Sequence, residues 1–106
     1  MTEYNPDSWV VIKMTHKEQT FYKVLGGWAG GYTQGSSWRL NSGIERVEVE
    51  DDMYRFYGAS GSVYVCSKHG YGLRMSIAGI WDQMKERFPD QVELLEDRDW
   101  STMEWK

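Results

Sequence analysis

The sequence predicts an α+β fold: a strongly bent antiparallel β-meander or small barrel with one amphipathic helix, at about residues 76–88, packed on it. Three features carry that expectation. Short β-branched and aromatic runs alternate with glycine-rich or polar turns over the first three quarters of the chain. The stretch 44–57 (IERVEVEDDMYRFY) fits a single hairpin register, and after Ser76 the apolar period changes from strand to helix. With 106 residues and 12.4 kDa, the chain reads as one domain over 1–100 followed by a short tail, 101–106.

Residues 8–15 (SWVVIKMT) have the composition of a strand, and Trp9, Val10, Val11 and Ile12 do not alternate with polar residues. A strand covered on both faces has that pattern. His16 to Gln19 is a polar break, and 20–25 (TFYKVL) is the returning strand. In the hairpin, a turn at Asp51-Asp52 sets Val49 opposite Tyr54 and Val47 opposite Phe56, with Glu48 meeting Arg55 on the other side. Two acidic residues make a less favourable tip than Asn-Gly or Asp-Gly. The glycines and serine of 58–61 turn the chain into a strand at 62–67, and 68–72 turns it again into a short strand, LRM. Ser76 then caps a helix whose apolar face is Ile77, Ile80, Trp81, Met84 and Phe88, and Pro89 ends it. Val92 to Leu95 forms a last short strand. The tail carries Trp100, Met103 and Trp105, which suit it to docking on its own domain or on a partner.

Composition narrows the function classes. The formal charge is −4, with twelve basic residues scattered among sixteen acidic ones, which argues against general nucleic-acid binding. One cysteine, Cys66, allows no intrachain disulfide, no apolar run is long enough to span a bilayer, and the first residues have no signal-peptide pattern. A cytoplasmic protein with no membrane contact is expected.

The chain carries little recognisable reaction chemistry. Gly26, Gly27, Gly30 and Gly31 have neither the P-loop nor the dinucleotide spacing, and Gly58-Ala59-Ser60-Gly61 is no nucleophile elbow. Cys66 and His69 stand at C-x-x-H spacing, but a structural zinc site needs four ligands, so no metal or other cofactor is expected. The same pair has two readings: a nucleophile and its base, or a buried thiol and a turn histidine. Glu48, Glu50, Asp51 and Asp52 read as a solvated edge that discourages sheet-to-sheet aggregation.

The unusual segment is 23–44, KVLGGWAGGYTQGSSWRLNSGI, which holds six of the eleven glycines interleaved with Trp28, Tyr32 and Trp38. Arg39 and Asn41 follow, bearing a guanidinium and an amide suited to planar or anionic groups. Two readings stand. The glycines make bends and a bulge while the rings fill the barrel, or Trp28, Tyr32, Trp38, Arg39 and Asn41 form a binding surface for a protein or a nucleotide-like ligand.

The runs YNPDSWVVIKM, FYKVLGGWAGGYTQGSSWRLNSGI and YGASGSVYVCSKHGYGLRM resemble a group of small accessory proteins from marine T4-like phages, cyanophages included. The resemblance spans about residue 4 to residue 100 and carries no catalytic residue onto this chain. It implies a phage protein at work in the bacterial cytoplasm, where such proteins bind a host factor or blunt a host defence. The leading expectation is therefore a non-enzymatic binding protein, engaging a host protein or a nucleotide-like ligand, the latter as a homo-oligomer because so small a fold needs a second subunit to complete a pocket. The alternatives are a small hydrolase using Cys66/His69 or a carboxylate, and a structural or virion protein.

Overall fold

A computed structural model describes residues 2–28, 37–74 and 76–105 of the chain. Among the described residues the protein is β-rich, with one α-helix and a 3-10 turn at Trp100–Thr102. Its strands are β1 (Glu3–Tyr4), β2 (Ser8–His16), β3 (Gln19–Trp28), β4 (Ser37–Leu40), β5 (Ile44–Glu50), β6 (Met53–Gly58), β7 (Val63–Ser67) and β8 (Val92–Leu94), with α1 (Ser76–Arg87) between the last two. They divide into two four-stranded sheets. The outer sheet has the order β1-β7-β6-β5 and the central sheet β4-β3-β2-β8. Among the described residues the strands close no barrel.

The uninterrupted apolar run of β2 now has its explanation. Trp9, Val10, Val11 and Ile12 are each at most 1% exposed. Alternate side chains point to opposite faces of a sheet. Trp9 and Val11 therefore pack toward the outer sheet, against Phe56, Tyr64 and Cys66, while Val10 and Ile12 pack with Leu25 under Ile77 and Trp81 of α1. The result is three layers: outer sheet, central sheet, helix. Each aliphatic side chain of this segment contributes about 1.5–3 kcal/mol through removal from water, and the same strand supplies both cores.

The β5–β6 hairpin takes the predicted register, Val47↔Phe56, Glu48↔Arg55 and Val49↔Tyr54, with an irregularity between Ile44 and Arg46. The expected Glu48–Arg55 ion pair does not form. Arg46 and Tyr57 are themselves cross-strand partners. They capture Glu48 instead: its carboxylate accepts from Arg46 Nη1 at 2.7 Å and from the Tyr57 hydroxyl at 2.6 Å. Arg55 turns to Glu3 at 3.0 Å. The network is largely exposed, so it orients side chains and contributes little stability.

Three expectations are corrected. The strand after residue 70 is absent among the described residues: Tyr71 makes a single parallel bridge to Trp9, and Leu73 and Arg74 belong to no strand. β3 runs three residues past its predicted end, through Gly26 and Gly27 to Trp28, because β4 pairs with that extension. The meander is also not wholly antiparallel, since β1 joins the outer sheet parallel to β7. Helix α1 begins at Ser76 as the periodicity predicts, and Phe88 N–H still bonds Met84 C=O just beyond its end.

The C-terminal segment docks on the chain's own domain. Trp100 is fully buried, with its ring centroid 6.2 Å from Trp9 and 5.4 Å from Tyr71, and Trp105 stacks on it at 6.3 Å. The Tyr71 hydroxyl donates to Leu95 C=O and accepts from Val11 N–H, tying this segment to β2.

The β2–β3 turn contains a local conflict. Lys17 and Glu18 have φ of 50° and 67°, the left-handed conformation a two-residue type I′ turn requires. Side chains with a Cβ are strained there by about 1–2 kcal/mol each. Replacing the pair with Asn-Gly should raise stability by about 1 kcal/mol, read as a higher urea midpoint at unchanged slope. A lower midpoint would show that these side chains have a stabilising role of their own.

Candidate functional site

The glycine-rich segment enters the central sheet as the end of β3 and returns as β4, an edge strand. In the register Gly26 faces Arg39, Gly27 faces Trp38 and Trp28 faces Ser37. Gly26 is required by packing: a Cβ there would lie 2.9 Å from Pro6 Cβ. The buried ring of Pro6 occupies the space that a side chain at position 26 would take. This glycine serves the fold.

Of the five predicted site residues, three gather. Trp28, Trp38 and Arg39 line an open concavity of about 250 Å³ with Tyr4 and Ser37. The Arg39 guanidinium sits 4.5 Å from the centroid of the Tyr4 ring, and Tyr4 meets Trp28 edge to face at 6.3 Å. Strand alternation places Trp28 and Arg39 on the Tyr4 side of the sheet, with Trp38 and Leu40 on the helix side. Trp38 is 47% exposed and reaches the concavity from the edge. Tyr32 falls outside the described residues.

Asn41 does not join this group. It is buried, its Oδ1 accepts from Val24 N–H at 2.8 Å, and its own N–H donates to Val24 C=O at 3.0 Å. It therefore extends the β3–β4 ladder by one step beyond Leu40, using a side-chain amide in place of backbone. Sequence alone did not separate this role from ligand binding, because an amide suits either. Conversely, Tyr4 was missed. It lies in a two-residue strand whose partner, β7, is some sixty positions away, so no local period marks it.

The other candidates are arranged for structure. Cys66 is buried, and burial pushes its thiol well above the ordinary range, which suppresses the thiolate needed for nucleophilic attack. His69 is exposed in the turn that follows. Glu50, Asp51 and Asp52 are exposed around the hairpin tip, and β5 is the edge of the outer sheet. Among the described residues no three His, Cys, Asp or Glu side chains are grouped to hold a metal ion, and no helix is long and apolar enough to cross a membrane.

No protein-family model matches the chain, and no curated protein or solved structure does. Its own geometry therefore carries the functional argument.

Substitution separates contact residues from structural ones. Asn41→Ala leaves the Val24 N–H buried without its acceptor and should cost about 1–3 kcal/mol of stability. Arg39→Ala removes an exposed cation–π contact with Tyr4 and should stay within about 1 kcal/mol. Equal losses for the two in urea titration would contradict this division.

Burial also sets an alkaline limit. Tyr64 and Tyr71 are both pushed up to about 12, mainly by burial, and Cys66 is raised by the same cause. Each is neutral when protonated, so the folded chain keeps protons that the unfolded chain releases above about pH 10 for tyrosine. Stability is then fully present below the unfolded values and is lost as pH rises through the folded ones. The urea midpoint should be flat near neutrality and fall once pH passes the unfolded-state values, about 8.5 for cysteine and about 10 for tyrosine. A midpoint that rises over that range would contradict the assignment.

Proposed function

We propose that the protein is a non-enzymatic binding module, with Trp38, Arg39 and Trp28 beside Tyr4 as its contact surface and a protein as its partner. The observation that carries this reading is the half-exposed indole of Trp38 beside the exposed Arg39 on an edge strand. Trp, Tyr and Arg are enriched among the residues that dominate binding energy at protein interfaces: the rings bury much area for few rotatable bonds, and the guanidinium offers a planar fork of donors. The short edge strand β4 adds backbone groups within reach of a partner.

The alternative ligand, a nucleotide-like molecule, fits less well. Small-molecule pockets usually enclose about 300–1,000 Å³ and surround most of the ligand. This concavity is below that range and open, so a nucleotide would need a second copy of the chain to close over it. The hydrolase reading is weakened by the buried thiol of Cys66. The resemblance to phage accessory proteins supplies the setting: a host factor or host defence protein in the bacterial cytoplasm.

A photocrosslinking amino acid at position 38, compared with one at the exposed Ser60, tests this in bacterial cells. The expected result is one adduct of defined mass from position 38 and none from position 60, lost when Arg39 is changed to Glu. Absence of an adduct, together with saturable quenching of tryptophan fluorescence by millimolar nucleotide, would sink the protein-partner reading in favour of the small ligand.

A further inference from the structure

Helix α1 is too short for the sheet it covers. Twelve residues of helix extend about 18 Å, whereas the nine and ten residues of β2 and β3 extend about 30 Å. Ile77 and Trp81 cover Val10, Ile12 and Leu25. Beyond the helix end the same face continues as Met14, Phe21 and Val92, with Phe88 beside them. Of the four large exposed apolar side chains among the described residues, Phe21, Trp38 and Phe88 lie on this side, and the fourth, Val49, is on the outer sheet.

Two grooves result, with Phe88 as the ridge between them. One, of about 270 Å³, runs between α1 and β4 and is lined by Leu40, Ile80 and Met84. The other, of about 310 Å³, lies between the helix end and the β2–β3 hairpin, over Met14, Phe21 and Val92. Among the described residues their charged lining groups are Arg87 in the first and Lys23 in the second, which His16 also lines; the carboxylates of Asp90 and Glu93 sit with Lys13 in the adjoining cleft beyond Thr15 and Gln91. In a chain whose acidic residues outnumber its basic ones sixteen to twelve, that is a local reversal of sign.

We propose that this corner docks an acidic amphipathic helix of another protein, its apolar stripe astride Phe88 and its carboxylates against Lys23 and Arg87. The charge follows from the rim. The helical form follows from the floor between β4 and the β2–β3 hairpin, which presents side chains; the strand edge of β4 lies at its margin. An extended peptide would leave its backbone groups without partners there, while a helix satisfies its own. The chain's own acidic tail segment, 96–99, is held elsewhere by the buried Trp100. A second copy meeting the first through this face would set Lys23 and Arg87 of both against each other, which disfavours that occupant. The surface shares only Trp38 with the edge site, and the experiment leaves Trp38 unchanged, so either proposal can fail alone.

The probes are two helix-stabilised peptides of about sixteen residues, long enough for four turns, with the same leucine stripe and either glutamate or lysine flanks. Anisotropy and amide NMR spectra of the full chain read binding. The glutamate peptide should bind saturably and shift amides around Phe21 and Phe88, and the lysine peptide should bind at least about fivefold more weakly. Phe88→Gln, and separately Lys23→Glu with Arg87→Glu, should each weaken the glutamate peptide at least about fivefold with thermal unfolding unchanged, as expected for exposed or half-exposed side chains. Phe21→Gln provides the same reading if Phe88→Gln lowers stability. Equal binding of the lysine peptide, shifts that map elsewhere, or a dimer that Phe88→Gln abolishes would each overturn the proposal.

Discussion

The rest of the structure depends on the burial of β2 on both faces. Four consecutive side chains, Trp9 to Ile12, alternate between two cores, so one strand fixes the spacing of the outer sheet on one side and of α1 on the other. A polar side chain at any of these positions would have no solvated face to turn to. The neighbours of β2 are arranged accordingly: β3 and β8 satisfy its backbone on either side, and the Trp9 indole N–H donates to Ser67 C=O at 2.7 Å across to the outer sheet.

Around that strand the aromatic residues divide by role. Trp9 has Tyr54, Phe56, Tyr71 and Trp100 around it at centroid distances of 4.7 to 6.2 Å, an edge-to-face and tilted cluster that fills the space between the sheets. Trp38, Phe21 and Phe88 belong to no such cluster and lie at the margins of the central sheet. The margins exist because the covering elements are shorter than the sheet. Surface available for binding is thus a by-product of unequal element lengths.

What could be read from sequence follows the range of the interactions involved. The β5–β6 register was legible because adjacent residues enforce it: Val47 and Val49 meet Phe56 and Tyr54 across a two-residue turn. The helix was legible from the spacing of Ile77, Trp81 and Met84, and the double burial of β2 from its unbroken apolar run. Tyr4, β4 and the pairing of β1 with β7 were not, because each is defined by a distant partner. The site was half legible. Trp28, Trp38 and Arg39 do converge, but Asn41 proved to be a ladder element, since the same amide chemistry serves a backbone N–H as readily as a ligand.

The position of Trp100 in the core has a kinetic consequence. Its contact with Trp9 joins residues separated by nearly the whole length of the described chain, and β1 with β7 and β2 with β8 are similarly remote. Contacts of such high sequence separation are made late, after the entropy of closing long loops has been overcome, and they place a protein among the slower folders of its size. During synthesis the β2–β3 hairpin emerges well before the residues that cover it. For that interval the Trp9 and Val11 face stands open to water, and to any other nascent chain with an apolar face to offer.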